Sequence, residues 1–122
     1  MQVTLLRHAT AQPFGTTDSD FSRKLIEKGF EQCKRVAFFC QRNQIKPDTL
    51  LTSPYPRALQ TATELVKCLR DYPTPQTVDW LIPGSGNQSI LSGLNALSDL
   101  QSVMLVLHEP DISALLGKLM KT

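Results

Sequence analysis

The chain has 122 residues, 41% hydrophobic and 20% charged, with 13 basic against 11 acidic side chains for a net charge of +2. That describes one globular domain over 1–122, neither disordered nor membranous, with too little charge to argue for nucleic acid. No apolar stretch approaches the roughly 20 residues of a membrane span.

Strands and helices alternate along the chain. Residues 2–7 form a first strand, followed by a loop through Pro13, Gly15 and Asp20. A helix is predicted over 24–42, where Leu25, Phe30, Cys33, Val36, Ala37 and Cys40 recur near 3.6-residue spacing. Gly29 inside it is unfavourable for a helix, which suggests either close packing or a functional approach at that point. Pro47-Asp48 turns the chain into a strand at 49–52, and Pro56 opens a helix over 56–70 with one apolar face. A weak strand is expected at 77–81, then a flexible stretch at 83–88 suited to the rim or lid of a site. A helix at 88–98, a strand at 103–107 and a helix at 111–120 complete the pattern. This alternation predicts a three-layer α/β/α fold with a mainly parallel sheet and right-handed crossovers. The last helix has no strand after it, which leaves a shortened C-terminal end as one expectation. Cys33, Cys40 and Cys68 make an odd count without a CxxC pair, fitting a reducing compartment and small apolar side chains on helix faces. With no basic leader ahead of the first strand, the cytoplasm is the expected location.

Chemistry gathers where the strands stop. Arg7-His8 follows the first strand, Ser53-Pro54-Tyr55-Pro56-Arg57 the second, and His108-Glu109-Pro110-Asp111 the apolar run 103–107. In an open α/β sheet, ligands bind at this lip. A guanidinium offers a planar fork of donors to phosphate oxygens, and a neutral imidazole can carry a phosphoryl group. Each segment alone has an ordinary structural explanation, such as a hydrogen-bonded histidine or a solvated arginine. Their conjunction, which uses both histidines of the chain, points to a phosphoryl site.

The ordered set Arg7-His8-Ala9, Ser53-Pro-x-x-Arg57-Ala-x-x-Thr61 and His108-Glu-Pro-Asp resembles the histidine phosphatase superfamily, with its phosphoglycerate-mutase-like fold. Arg23-Lys24-Leu25 with Gly29 is similar to an element of its SixA-type phosphohistidine phosphatases. The resemblance implies His8 as nucleophile, Arg7 and Arg57 as phosphoryl clamps, His108 as a further donor and Arg23 as another phosphate ligand. It implies a histidine-phosphorylated signalling protein as substrate, in the form of a histidine-containing phosphotransfer domain, with inorganic phosphate as product. The chain departs from the pattern at Ala9 (commonly glycine), at Ile26 (commonly Thr or Ser) and in the absence of the family's closing segment. No cofactor is expected. No metal is expected either, since Glu109 and Asp111 make no hard-cation cluster and two separated histidines make a poor zinc site.

Clustered cations are expected to lower the pKa of His8, keeping its lone pair available. Relatives that act on alcohol esters carry a glutamate after the third strand to protonate the leaving alkoxide. Here Val78–Gly84 contains none, and Asp79 is the nearest carboxylate, expected as an exposed strand residue. General acid help is typically worth about 10²–10⁴-fold, so its absence favours a labile P–N bond. A partner, or Glu109, is an alternative proton source. Trp80, Phe14 and Tyr55 are candidates for a rim, while Lys24, Lys28, Lys34 and Arg35 read as a solvated face. Two other readings stay open: a broad small-molecule phosphomonoesterase and a non-catalytic phosphate-binding module.

Overall fold

Ser102–Leu107 (β4) is apolar after its opening serine, and such a run is stable only where both faces are covered. The computed structural model describes residues 1–97 and 99–120, with side chains as far as 117. In it β4 is an interior strand. With Gln2–Arg7 (β1), Thr49–Thr52 (β2) and Gln76–Thr77 (β3) it forms a wholly parallel sheet of order β1-β4-β2-β3. The helices are Glu27–Arg42 (α1), Pro56–Lys67 (α2), Asn87–Asn95 (α3) and Asp111–Met120 (α4).

Side chains alternate across a strand, so β4 feeds two cores at once. Val103, Leu105 and Leu107 pack with Leu51, Leu81, Ile90, Leu94, Ile112 and Leu115 on the face of α3 and α4. Met104 and Val106 pack with Leu50, Ala37, Cys40, Ala58, Ala62 and Leu65 under α1 and α2. This is the three-layer α/β arrangement the alternation implied. Burying each large aliphatic side chain stabilises by about 1.5–3 kcal/mol, which makes β4 the strand around which the layers assemble. A smaller cluster of Ala9, Ala11, Leu25 and Cys33 fastens the segment after β1 to α1.

Several elements differ from expectation. The helix predicted over 24–42 begins at Glu27, because Gln12 N–H takes the Lys24 carbonyl at 2.8 Å and the stretch before it is held extended. Leu25 N–H donates to Gln60 Oε1 at 2.8 Å and Ile26 N–H to Thr10 O at 3.2 Å, while Leu25 bridges to Ala11. The helix predicted over 56–70 ends at Lys67, where Cys68 and Leu69 close tight turns onto Leu65 and Val66. Cys68 is exposed there, unlike buried Cys33 and Cys40, so it is not the packed helix-face residue expected. The strand expected at 77–81 is only the two-residue β3, followed by a single 3₁₀ turn, Asp79–Leu81. The turn lets Leu81 bury in the core and brings Trp80 against Gly93, where an added methyl would overlap the indole. The helix predicted over 88–98 spans Asn87–Asn95, and residue 98 lies outside the described residues.

Candidate active site

Register brings the chemistry together. Arg7 aligns with Leu107 across β1 and β4, and Thr52 with Val106 across β2 and β4. The next residues of the three strands, His8, Ser53 and His108, therefore emerge at the same end of the sheet. Two backbone bonds extend this alignment by one residue: His8 N–H to Leu107 O and Ser53 N–H to Val106 O, each 3.0 Å.

The two imidazoles lie with ring centres 5.1 Å apart. His8 Nδ1 is 2.8 Å from its neighbour's carbonyl, Ala9 O. A carbonyl only accepts, so the proton sits on Nδ1 and the lone pair on Nε2. Arg57 Nε–H donates to that Nε2 at 3.3 Å. The Ala9 peptide is itself held, since its N–H donates to Thr61 Oγ1 at 3.0 Å and Thr61 donates onward to Arg57 O at 2.7 Å. α2 thus carries both the arginine and the brace behind His8.

His108, 1% exposed, has Nε2 at 2.9 Å from Ser53 Oγ, while its buried Nδ1 has no partner among the described residues. Ser53 Oγ already accepts from Tyr55 N–H at 3.2 Å. A hydroxyl can also donate, and in the tautomer where Ser53 donates to His108 Nε2 the histidine proton lies on Nδ1. A buried ring nitrogen without a partner is costly, and this one belongs to a ring packed against His8.

Arg57 is 4% exposed, and its Nη1 and Nη2 bond Asp20 O at 2.9 Å and Asp20 Oδ2 at 3.0 Å. Asp20 Oδ1 accepts from Arg23 Nη1 at 2.7 Å. Arg7, His8, Arg23, Thr10 and Gln32 border an open cleft of about 320 Å³. Burial lowers the pKa of His8, and Arg57, Arg7 and Arg23 push it down further against the raising effect of the Ala9 bond. Burial therefore outweighs the clustered cations that the sequence suggested as the cause. His108 is pushed down to about 3, first by burial and then by Arg57 and His8. Both rings are neutral at neutral pH. Among the described residues, no group of three or more His, Cys, Asp or Glu side chains is arranged to hold a metal ion.

The structure thus gathers His8, His108, Arg57 and Arg23, with Arg7 on the exposed edge of the cleft. Of the candidate rim aromatics, Tyr55 sits edge-on to His108 at 5.6 Å and under Arg57. Trp80 is a packing residue, and Phe14 is 79% exposed on the outer loop. Asp79 is exposed on the 3₁₀ turn rather than in a strand, and Glu109 accepts from Ser113 Oγ at 2.6 Å along α4. The stretch 83–88 is tied down by Gly84 N–H donating to buried Asp111 at 2.8 Å. Asp20, Gln32 and the bracing role of Thr61 escaped the sequence reading. Thr61 was visible in a spaced motif, but nothing in local spacing marks Asp20 or Gln32.

Comparison with known proteins bears on the family and the fold. The family model described as histidine phosphatase superfamily (branch 1) matches residues 3–79. Phosphohistidine phosphatase SixA of Escherichia coli is 27% identical over 98% of this chain and 74% of its own length. The structure of the protein histidine phosphatase SixA with tungstate superposes with a TM-score of 0.88 at 27% identity, covering 98% of this chain and 76% of that one. A protein of Agrobacterium tumefaciens, assigned as a phosphohistidine phosphatase SixA, superposes at 0.86 with 30% identity, covering 97% and 75%. With the family model spanning more than half of its length, this chain belongs to branch 1 of the histidine phosphatase superfamily.

Proposed function

We propose that the protein is a phosphohistidine phosphatase acting on a histidine-phosphorylated protein through a phosphoryl group carried on His8. The observation that carries this reading is the state of His8: its Nδ1 proton is fixed on Ala9 O, so the lone pair is on Nε2, where it accepts from Arg57 Nε–H at 3.3 Å until phosphorus takes its place, in a ring whose centre lies 5.1 Å from that of His108. His8 Nε2 attacks phosphorus in line and forms an N–P bond as the substrate's P–N bond breaks. The substrate imidazole, protonated on its other nitrogen, leaves neutral. Water then attacks phosphorus, the His8 bond breaks, phosphate departs and the remaining proton goes to solvent. Arg57, Arg7 and Arg23 neutralise the equatorial oxygens, and His108 Nδ1–H donates to one of them. Phosphoryl transfer asks for little beyond such positioning and charge.

The labile P–N bond is favoured because the carboxylates near strand ends are otherwise engaged or exposed: Glu109 on Ser113, Asp111 on Gly84, Asp79 at the surface. An alkoxide leaving group would forgo the general acid it needs. The E. coli relative named as a phosphohistidine phosphatase supports the same substrate class.

Brief mixing with a phosphohistidine-bearing phosphotransfer domain, followed by alkaline quench and mass spectrometry, should place acid-labile phosphate on His8. His8→Ala should abolish both the adduct and turnover. An alkyl phosphate hydrolysed as fast as the phosphoprotein would instead favour a small-molecule phosphomonoesterase. Normal turnover by His8→Ala would defeat the mechanism altogether.

A further inference from the structure

Asp20 lies in the irregular segment between β1 and α1, yet it engages two of the site's arginines at once. A guanidinium has two usable forks, an end-on pair on Nη1 and Nη2 and a side-on pair on Nε and the second Nη2 hydrogen. Asp20 occupies the end-on fork of Arg57 completely, with its backbone carbonyl on Nη1 and Oδ2 on Nη2. The side-on fork is thereby turned toward His8, where Nε reaches Nε2 at 3.3 Å. Oδ1 meanwhile holds Arg23 by Nη1, and Gln12 O holds the same arginine by Nε at 2.6 Å.

Two guanidiniums this close repel each other, and a carboxylate placed between them reverses the sign of the interaction. Each oxygen serves a different arginine, so the carboxylate sets the separation of the two cations as well as their charge balance. Arg57 is 4% exposed, so its orientation depends on protein partners. Desolvation raises the carboxyl of Asp20, but the bonds and charges of Arg23 and Arg57 together outweigh it and hold the group below its usual range.

We infer that Asp20 is the positioning residue of the arginine clamp, holding Arg57 and Arg23 so that their remaining donors converge on a phosphoryl group beside His8. It touches no reacting atom. The inference rests on the phosphatase reading above and states how the same site is assembled. A carboxylate that merely occupied an empty anion site would act with the opposite sign, because removing it would tighten anion binding.

The test compares the unaltered protein with Asp20→Ala and Asp20→Asn, in orthovanadate titrations by calorimetry and in kcat and KM per folded molecule. Asp20→Ala should weaken vanadate binding about tenfold or more and lower kcat/KM on the order of 10²-fold, with kcat falling as well as KM rising, as misplaced catalytic groups do. Asp20→Asn keeps the shape and one acceptor oxygen, and should recover part of both losses. If Asp20→Ala does not fold, the Asn variant decides alone, through a weaker but measurable loss of vanadate affinity. Vanadate binding that is unchanged or tighter in the folded variants would overturn the inference. An unaltered protein that forms no phosphohistidine would sink the functional reading instead, and the vanadate titration would still decide the role of Asp20.

Discussion

Thr61 braces the proposed nucleophile, His8, without touching it. Its hydroxyl sits between Ala9 N–H and Arg57 O, is 3% exposed, and so cannot be replaced by water. The peptide it restrains belongs to the residue whose carbonyl fixes the proton on His8 Nδ1. Thr61→Val keeps the shape and removes the acceptor, leaving a buried N–H unpaired at a cost of about 1–3 kcal/mol. The freed peptide should also let the imidazole drift, lowering kcat by roughly tenfold or more, since small misplacements of reacting groups are expensive. Urea denaturation and phosphohistidine turnover measure the two effects, and Thr61→Ser should restore both. A Val variant as stable and active as the parent would show that Ala9 is held by other contacts.

Among the elements, α1 is fixed to the site by the absence of a side chain. A methyl on Gly29 would overlap Thr10 O, the carbonyl that accepts from Ile26 N–H. Helix propensity alone favours Gly29→Ala by about 1 kcal/mol, but forcing an atom into a packed contact costs about 1–3 kcal/mol and shifts backbone. The contact should prevail, with a lower urea midpoint and reduced turnover, because Thr10 borders the cleft two residues after His8. A stabilised, fully active variant would contradict this. The same element shows what the sequence made legible. β1, β2, β4 and α4 were readable because continuous apolar runs and helical periodicity announce buried strands and faces. Gly29 announced a close approach without naming its partner. The start of α1 was not readable, since Leu25 and Ile26 fit a helical face equally well and are diverted by Gln60 and Thr10, partners far away in sequence. β3 shrank for a related reason: Val78–Leu81 has strand composition, but the core offered Leu81 a place that only a tight turn could reach. The histidines and arginines were legible because strand ends and motif spacing coincide. Asp20 was not, because an irregular loop has no periodicity from which to infer a direction.

For the whole molecule, the two neutral histidines tie stability to pH. His108 is held at about 3 against an ordinary 6.5, and His8 is lowered as well. Below the unfolded value the disordered chain binds protons that the folded protein refuses, so the stabilisation present at neutral pH is lost as pH falls from about 6.5 toward the lowered folded values. One fully refused proton amounts to about 2 kcal/mol between pH 6.5 and 4.5, a large part of a domain stability of about 5–15 kcal/mol. Asp20 does not confuse this window, because its carboxyl is lowered from an ordinary value of 3.8 and its contribution disappears only at more acid pH. Urea midpoints should therefore fall steadily across this range in buffers free of phosphate, whose binding to the folded state would add its own stabilisation. His108→Gln, which cannot titrate there, should flatten much of the slope. A midpoint constant from pH 7 to 4.5 would mean that the rings accept protons inside the fold. The neutral pair on which the proposed phosphoryl chemistry depends would then not be maintained by burial.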